Sequence, residues 1–343
     1  MNTKIETLIK KSLCLNSNSN TVLVSQKDNI LTLETSNFMV KIPVNSNETF
    51  EGITSSDIVK SNNIDNIKFI TRIKDTSNEY RHEFKTYSKK VVINPVNFKK
   101  LLLQKTQSNN ANICNAVWFN YDNMYEANGH YIIAINNAYS ENDFSFGIDK
   151  KIVELLKNCT EYLYVSYENN DTDYHKSQNT SIELNIEGVI FHFNSVISIC
   201  DFKSMIHNAM SFKSQILKEY KFDNLKEFTK LLASAKNDEK RIVLDFNKDK
   251  LTAYNIFRIA GTTNDYKKSE IGSCKNSYHS DDELNRIVID SNYAKKIKDA
   301  IKNDAEILLK LEGDKRYGIN KMTIRNSNLT LIIMGVVNCN IIE

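Results

Sequence analysis

One unit recurs about six times along this chain of 343 residues: a β-rich stretch, a small polar residue, then a short amphipathic helix carrying lysines. The junctions read Ile53-Thr54, Ile93-Asn94-Pro95, Ile148-Asp149, Phe222-Asp223 and Ile289-Asp290, and the first unit opens at Asn2-Thr3. Asn, Asp and Thr accept hydrogen bonds from the free N–H groups of a first helical turn, and Pro95 suits the position where a missing N–H costs nothing. Each junction therefore predicts strand into helix. Repetition of such a unit constrains the chain to a symmetric architecture and turns the question from reaction to scaffold.

Asn-rich turns followed by alternating apolar residues predict hairpins at 27–33, 248–253 and 326–331. Strands are also predicted at Ile182 to Ile186, Val189 to Phe193, Ile242 to Phe246 and Ile307 to Leu311. The result is an α+β chain, rich in strand, with short helices. Pairing the units gives three similar domains at 1–90, 91–212 and 213–343, the first of them abbreviated between Phe50 and Tyr87. The polar stretch from Gly261 to Asn285 reads as a long loop or ragged hairpin.

Gross charge selects no partner, because 45 basic and 42 acidic residues leave a formal net charge of +3. Any attraction to a polyanion must come from placement of the lysines. The six cysteines form no C-x-x-C pair or framework spacing, which predicts reduced thiols and no zinc site. No apolar leader or membrane-length run is present, so the expected setting is soluble and cytoplasmic.

The helices divide their faces. In the last, Tyr293, Ala294, Ile297, Ala300 and Ile301 form an apolar stripe while Lys295, Lys298 and Lys302 recur on another face. The same division sets Ile5, Leu8 and Ile9 against Lys4 and Lys11, and Leu225, Phe228, Leu231 and Leu232 against Lys226 and Lys230. Lys99, Lys100 and Lys105 accompany a third helix around Phe98, Leu101 and Leu102. Lys150, Lys151 and Lys157 accompany a fourth around Ile152, Val153 and Leu156. On one helix, such lysines only solvate a surface. Repeated on helices lining a common surface, they would form a cationic track suited to the phosphates of duplex DNA.

The order of these elements, with several short stretches, resembles the bacterial DNA polymerase sliding clamps, the β clamp or DNA polymerase III β subunit family. The stretch Tyr125-Glu126-Ala127-Asn128-Gly129-His130-Tyr131-Ile132 is similar to the family's Thr-Asp-Gly-His-Arg-Leu-Ala, matching outright at Gly129 and His130. Ile152 to Leu156 resembles the helix that follows. Asp201-Phe202-Lys203-Ser204-Met205-Ile206 resembles the family's Asp-Tyr-Arg-Arg-Val-Leu, and Leu331 to Val336 its closing strand, with Gly335 in place of a proline and several residues running past the usual end. The likeness covers about 91 to 337.

The resemblance implies a three-domain clamp fold, with helices lining a ring interior and sheets outside. Two chains would close head to tail around double-stranded DNA as a processivity factor. It further implies a pocket for short peptides of a DNA polymerase and its clamp loader, made here by Ala127, Gly129, His130, Ile132, His207, Ile332 and Met334. Catalytic residues, cofactor and metal are expected to be none. Two alternatives stand beside it: a clamp-fold binding or assembly protein of a phage or plasmid that forms no ring, and an enzyme acting on nucleic acid. Against the enzyme, no H-E-x-x-H, Gly-rich phosphate loop or nucleophile elbow occurs, although His82, His130, His175, His192, His207 and His279 offer catalytic side chains.

Overall fold

Period-two patterning becomes β-meanders in the computed structural model. It describes residues 2–15, 20–67, 72–73, 84–101, 115–120, 123–128, 130–136, 146–171, 176–198, 215–222, 225–234, 241–247, 249–275, 285–301, 307–314, 318–326, 328–335 and 340–342. Contacts divide the chain into two compact units. One comprises Met1–Lys99, Asn115–Asp122 and Ala138–Cys200, and the other Lys100–Cys114, Asn123–Asn137 and Asp201–Glu343.

The first unit holds β1 (Thr21–Lys27), β2 (Ile30–Glu34), β3 (Phe38–Pro43), β4 (Phe50–Ser55), β5 (Arg72–Ile73) and β6 (Lys89–Ile93). It also holds β7 (Ala116–Asn120), β10 (Phe146–Asp149), β11 (Leu163–Asp171), β12 (Lys176–Ile186) and β13 (Val189–Ser198). Nine of these form one sheet in the order β5-β4-β1-β2-β3-β13-β12-β11-β6. That order contains the same block twice: a three-strand meander with a fourth strand beside its first, β4-β1-β2-β3 and β6-β11-β12-β13. The blocks join where β3 and β13 pair antiparallel, from Phe38 opposite Phe193 to Lys41 opposite Ile190. Phe38, Phe191 and Phe193 are wholly buried there, each removing apolar surface worth about 1.5–3 kcal/mol from water.

The second unit repeats the pattern. Its strands are β8 (Asn123–Ala127), β9 (Tyr131–Asn136), β14 (Ile216–Phe222), β15 (Arg241–Asn247), β16 (Lys250–Arg258) and β17 (Asp265–Lys275). They continue with β18 (Asn285–Asp290), β19 (Ile307–Asp314), β20 (Gly318–Arg325), β21 (Leu329–Met334) and β22 (Asn340–Ile342). One run reads β8-β9-β21-β20-β19-β14 and a separate sheet reads β18-β15-β16-β17-β22. In both, the fourth strand (β14 or β18) lies beside the first strand of a meander.

Turn chemistry fixes register. Asp28 and Asn29 both take positive φ (53° and 62°) between the paired Lys27 and Ile30, as a two-residue hairpin with right-handed strand twist requires. Asn326 Oδ1 accepts from the N–H groups of Asn328 (2.8 Å) and Leu329 (2.7 Å), closing the turn from β20 to β21. Space at Gly147 in β10 is tight: a Cβ there would stand 2.3 Å from Ile197 Cδ1 and 3.2 Å from the Trp118 ring, so the end of the Ile197 side chain would have to move.

Among the described residues the α-helices are α1 (Thr3–Ser12), α2 (Ser56–Ser61), α3 (Lys150–Leu156), α4 (Leu225–Ala233) and α5 (Ser291–Ile301). Their caps are those the junctions predict, with one displacement. Asn2 Oδ1 accepts from Lys4 N (3.0 Å), Asp149 Oδ1 from Lys151 N (2.7 Å) and Asp290 Oδ1 from Asn292 N (2.7 Å). At the second junction Ser55, rather than Thr54, caps α2 by accepting from Ile58 N (3.3 Å). Asp223 lies outside the described residues. The predicted apolar stripes are buried: Ile5, Leu8 and Ile9 in α1, Ile152, Val153 and Leu156 in α3, Phe228, Leu231 and Leu232 in α4, and Tyr293, Ala294, Ile297 and Ile301 in α5. Helix α1 packs on α3, and α4 on α5.

One reading changes and one narrows. The expected third α-helix is a 3₁₀-helix over Pro95–Lys100, led by Asn94 accepting from Val96 N (3.0 Å). The polar stretch after Gly261, expected as a long loop or ragged hairpin, takes the second form: it contains the eleven-residue strand β17, paired antiparallel with β16. Pairing with β16 along its length outweighs local composition there, and a register shift at Ala253/Tyr254 absorbs the irregularity.

Cys274 is buried and Cys159 partly so, and burial pushes their thiols up to about 12 and about 11, whereas Cys14 is exposed. The thiolate is the reactive form. In native protein at pH 8, iodoacetamide is therefore expected to alkylate Cys14 and to leave Cys159 and Cys274 untouched until denaturant is added, as peptide mapping by mass spectrometry would read.

Candidate functional site

Strand pairing in the second unit gathers most of the peptide-pocket residues named from sequence. Strands β9 and β21 run antiparallel, with Ile132 opposite Ile332 and Tyr131 opposite Ile333. Beyond the last pair, Met334 N–H donates to His130 O at 2.8 Å, so His130 and Met334 extend the same ladder. Strand β8 sets Ala127 opposite Ile132. Side chains directly opposite one another share a face. Ala127, His130, Ile132, Ile332 and Met334 therefore lie on one face, while Tyr131, Ile133, Leu331 and Ile333 lie on the other and are buried.

Within the gathered set, roles separate by depth. Ala127 and Ile332 are buried and make the floor, Ile132 is half-buried, and His130 and Met334 are exposed, Met334 by 42%. A thioether chain at the rim of an apolar floor is an adaptable surface for apolar side chains. Across the strand from Met334 stands Lys321, buried, its ammonium 3.0 Å from Glu312 Oε2. Thr323 donates to the same carboxylate at 3.0 Å, so the apolar floor borders a neutralised polar strip. Gly129 and His207 lie outside the described residues.

The turn that presents His130 is built by Asn128, a residue the sequence reading left out of the pocket. Its buried Oδ1 accepts from the N–H groups of His130 (3.1 Å) and Tyr131 (3.2 Å), and its Nδ2 donates to Tyr293 OH on α5 (3.2 Å). Tyr131 stacks edge-on against Tyr293 with centroids 5.3 Å apart and donates to the wholly buried Glu126 at 2.5 Å. Desolvation raises the Tyr293 phenol above its ordinary pKa, keeping the hydroxyl neutral. A polar network beneath the face thus holds the turn at a fixed height over α5. Its only signal in sequence was Asn128 ahead of Gly129.

The lysines divide by element. Lys4 and Lys11 are exposed on α1, Lys151 is exposed and Lys150 half-buried on α3, and Lys226 and Lys230 are exposed on α4. Lys157 is tied to Glu154. Lys99 is exposed and Lys100 half-buried on the 3₁₀-helix. Lys105 and Lys302, with the side chains of Lys295 and Lys298, fall outside the description.

No catalytic arrangement is formed by the candidates within the described residues. The His130 backbone carries the turn's hydrogen bonds. His192 lies 3.7 Å from Glu183 in a groove of about 490 Å³ with Phe84 and Tyr164, and burial lowers its pKa. Cys159 lines a cleft of about 560 Å³ beside α1, where its raised thiol pKa disfavours the nucleophilic form. Among the described residues no group of three or more His, Cys, Asp or Glu could hold a metal ion, and no helix is long and apolar enough to cross a membrane.

Replacing Asn128 by Ala removes three hydrogen bonds and strands buried partners, so a loss of about 1–3 kcal/mol of unfolding free energy is expected, measured by urea titration.

No family model matches the sequence, and no curated protein matches it. Solved structures do. DNA polymerase III subunit beta from Borrelia burgdorferi, in complex with a natural product, aligns over 97% of this chain and 96% of its own at 17% identity and TM-score 0.64. The Pseudomonas aeruginosa DNA polymerase III subunit beta aligns over 97% and 98% at 11% identity and TM-score 0.65. The Helicobacter pylori beta clamp bound to a DNA ligase peptide aligns over 96% and 98% at 13% identity and TM-score 0.62. Across nearly its whole length, and at identities this low, the chain carries the α+β fold of the bacterial β sliding clamps.

Proposed function

We propose that this chain is a DNA sliding clamp: a non-catalytic cytoplasmic processivity factor that holds a DNA polymerase to duplex DNA and offers short peptides a common docking face. The observation that carries the reading is the single face on which β8, β9 and β21 bring Ala127, His130, Ile132, Ile332 and Met334 side by side, within a clamp fold. One structural neighbour, the Helicobacter pylori clamp, was solved with a ligase peptide bound.

On this reading a docking peptide supplies two or three apolar side chains to Ile132, Ile332 and Met334 and one polar anchor near His130. Removal of apolar area from water, at roughly 25 cal/mol per Å², supplies its affinity before the costs of association. Gly129 and His207 complete the pocket. The chain is partitioned as three clamp domains, 1–90, 91–212 and 213–343, and two copies close a ring. Lys4, Lys11, Lys99, Lys100, Lys105, Lys150, Lys151, Lys157, Lys226, Lys230, Lys295, Lys298 and Lys302 face the duplex. Contacts of lysine to phosphate carry no sequence information, so the ring stays mobile along DNA.

Met334→Asp places a carboxylate at the rim of the apolar floor. Isothermal titration with clamp-binding peptides is expected to give micromolar binding to the parent and none to the variant, with an unchanged thermal melt. Equal affinity for both proteins contradicts the docking face.

The lysine assignment is tested separately. Replacing Lys150, Lys151, Lys226 and Lys230 by Glu is expected to reduce salt-sensitive retention on nicked circular plasmid while peptide affinity stays at the parent's value. Unchanged retention contradicts a DNA-facing role for these helices.

A further inference from the structure

The chain contains its own rule for joining meanders. In both joints the pairing begins at the first residue of a strand that closes a meander or hairpin: Phe38 to Lys41 of β3 against β13, and Tyr131 to Ile135 of β9, which closes the β8–β9 hairpin, against β21. The partner in the first joint is the third strand of another meander, and in the second it is again a third strand, β21. Both pairs are antiparallel, with four and five residue pairs respectively.

Strand β17 is the third strand of its own meander and has no such partner among the described residues. Its opening residues are covered instead by β22, which runs parallel: Asp265 opposite Asn340, Tyr266 opposite Ile341 and Lys267 opposite Ile342. Three parallel pairs make a weaker ladder than four or five antiparallel ones. The side chains tell the same story. Ile341 packs against a small buried cluster of Val243, Ile256, Tyr266 and Val288. Yet Ile342 remains 45% exposed, as does Phe257 (50%), which stands across β17 opposite Lys267. A short strand therefore shields the cluster and leaves apolar surface beside it uncovered. An open strand edge of this kind is a template for another chain.

We propose that β22 is an intramolecular cap on the joining edge of β17, displaced when an extended antiparallel strand from a second copy of this chain pairs with the residues from Asp265 onward. The cap sets the strength of self-association: the edge is competent only in the fraction of molecules whose β22 has lifted, and apparent affinity falls by that fraction. Choosing a second copy as occupant rests on the ring reading above; the joining rule and the cap do not.

Three proteins compared by sedimentation velocity over a concentration series test this. They are the full chain, a chain ended at Val337, and the full chain carrying Lys267→Cys and Ile342→Cys, whose oxidation would lock β22 in place across opposed positions. Truncation is expected to lower the dimer dissociation constant by about tenfold or more. The oxidised double variant is expected to stay monomeric, and reduction to restore the full chain's behaviour. Identical association by full and truncated chains overturns the proposal, as does ready dimerisation of the locked form. If truncation unfolds the protein, the locked and reduced forms still decide. If no protein associates at any concentration the proposal falls, and peptide titration at Met334 tells independently whether the docking face stands.

Discussion

Antiparallel pairing between the closing strands of meanders and hairpins is the interaction on which each unit depends. In the first unit it merges two four-strand blocks into one sheet and buries Phe38, Phe191 and Phe193 at the seam, with Phe38 and Phe193 centroids 5.4 Å apart. In the second it lays β21 beside β9, and that one ladder does two jobs. Its inner side buries Tyr131, Ile133, Leu331 and Ile333. Its outer side presents Ile132 and Met334. Because side chains alternate with period two, a slip of one residue would exchange the two sets and destroy core and proposed docking face together. Register is therefore the property that the turns at Asn128 and Asn326 protect.

Asn128 and Asn326 use the same device at opposite ends of the paired strands. Each side-chain oxygen accepts from the backbone N–H groups two and three residues ahead. Asn326 acts near solvent, where water can replace a lost bond. Asn128 is buried and is tied to Tyr293 besides, so its turn is coupled to helix α5 and, through Tyr131, to Glu126. Precision at a binding face comes from such supporting polar networks as much as from the residues a ligand touches.

Much of this was legible in the sequence because the signals are local. Cap residues Asn2, Asp149 and Asp290 mark helix starts, Asp28-Asn29 marks a hairpin, and helical spacing of Ile5, Leu8 and Ile9 marks a buried stripe. The proposed docking set was reachable only through family resemblance, since no periodicity joins Ile132 to Ile332 across 200 residues. Three features were hidden for the same reason. Strand β17 is polar and becomes a strand through β16. Glu126 reads as a surface residue and is buried because Tyr131 reaches its carboxylate. Strand β22 has only three residues and exists as an element through its contact with β17. Non-local pairing, in each case, supplies what composition withholds.

The account rests on the β9/β21 face being where a partner peptide sits. Methyl resonances of Ile and Met, recorded while a clamp-binding peptide is titrated into the full chain, test it most directly. The account expects Ile132, Ile332 and Met334 methyls to shift together and saturate at one stoichiometric equivalent, with the buried methyls of Ile133 and Ile333 moving less. Saturable shifts confined to other methyls, with those of Ile132, Ile332 and Met334 unmoved, would contradict it.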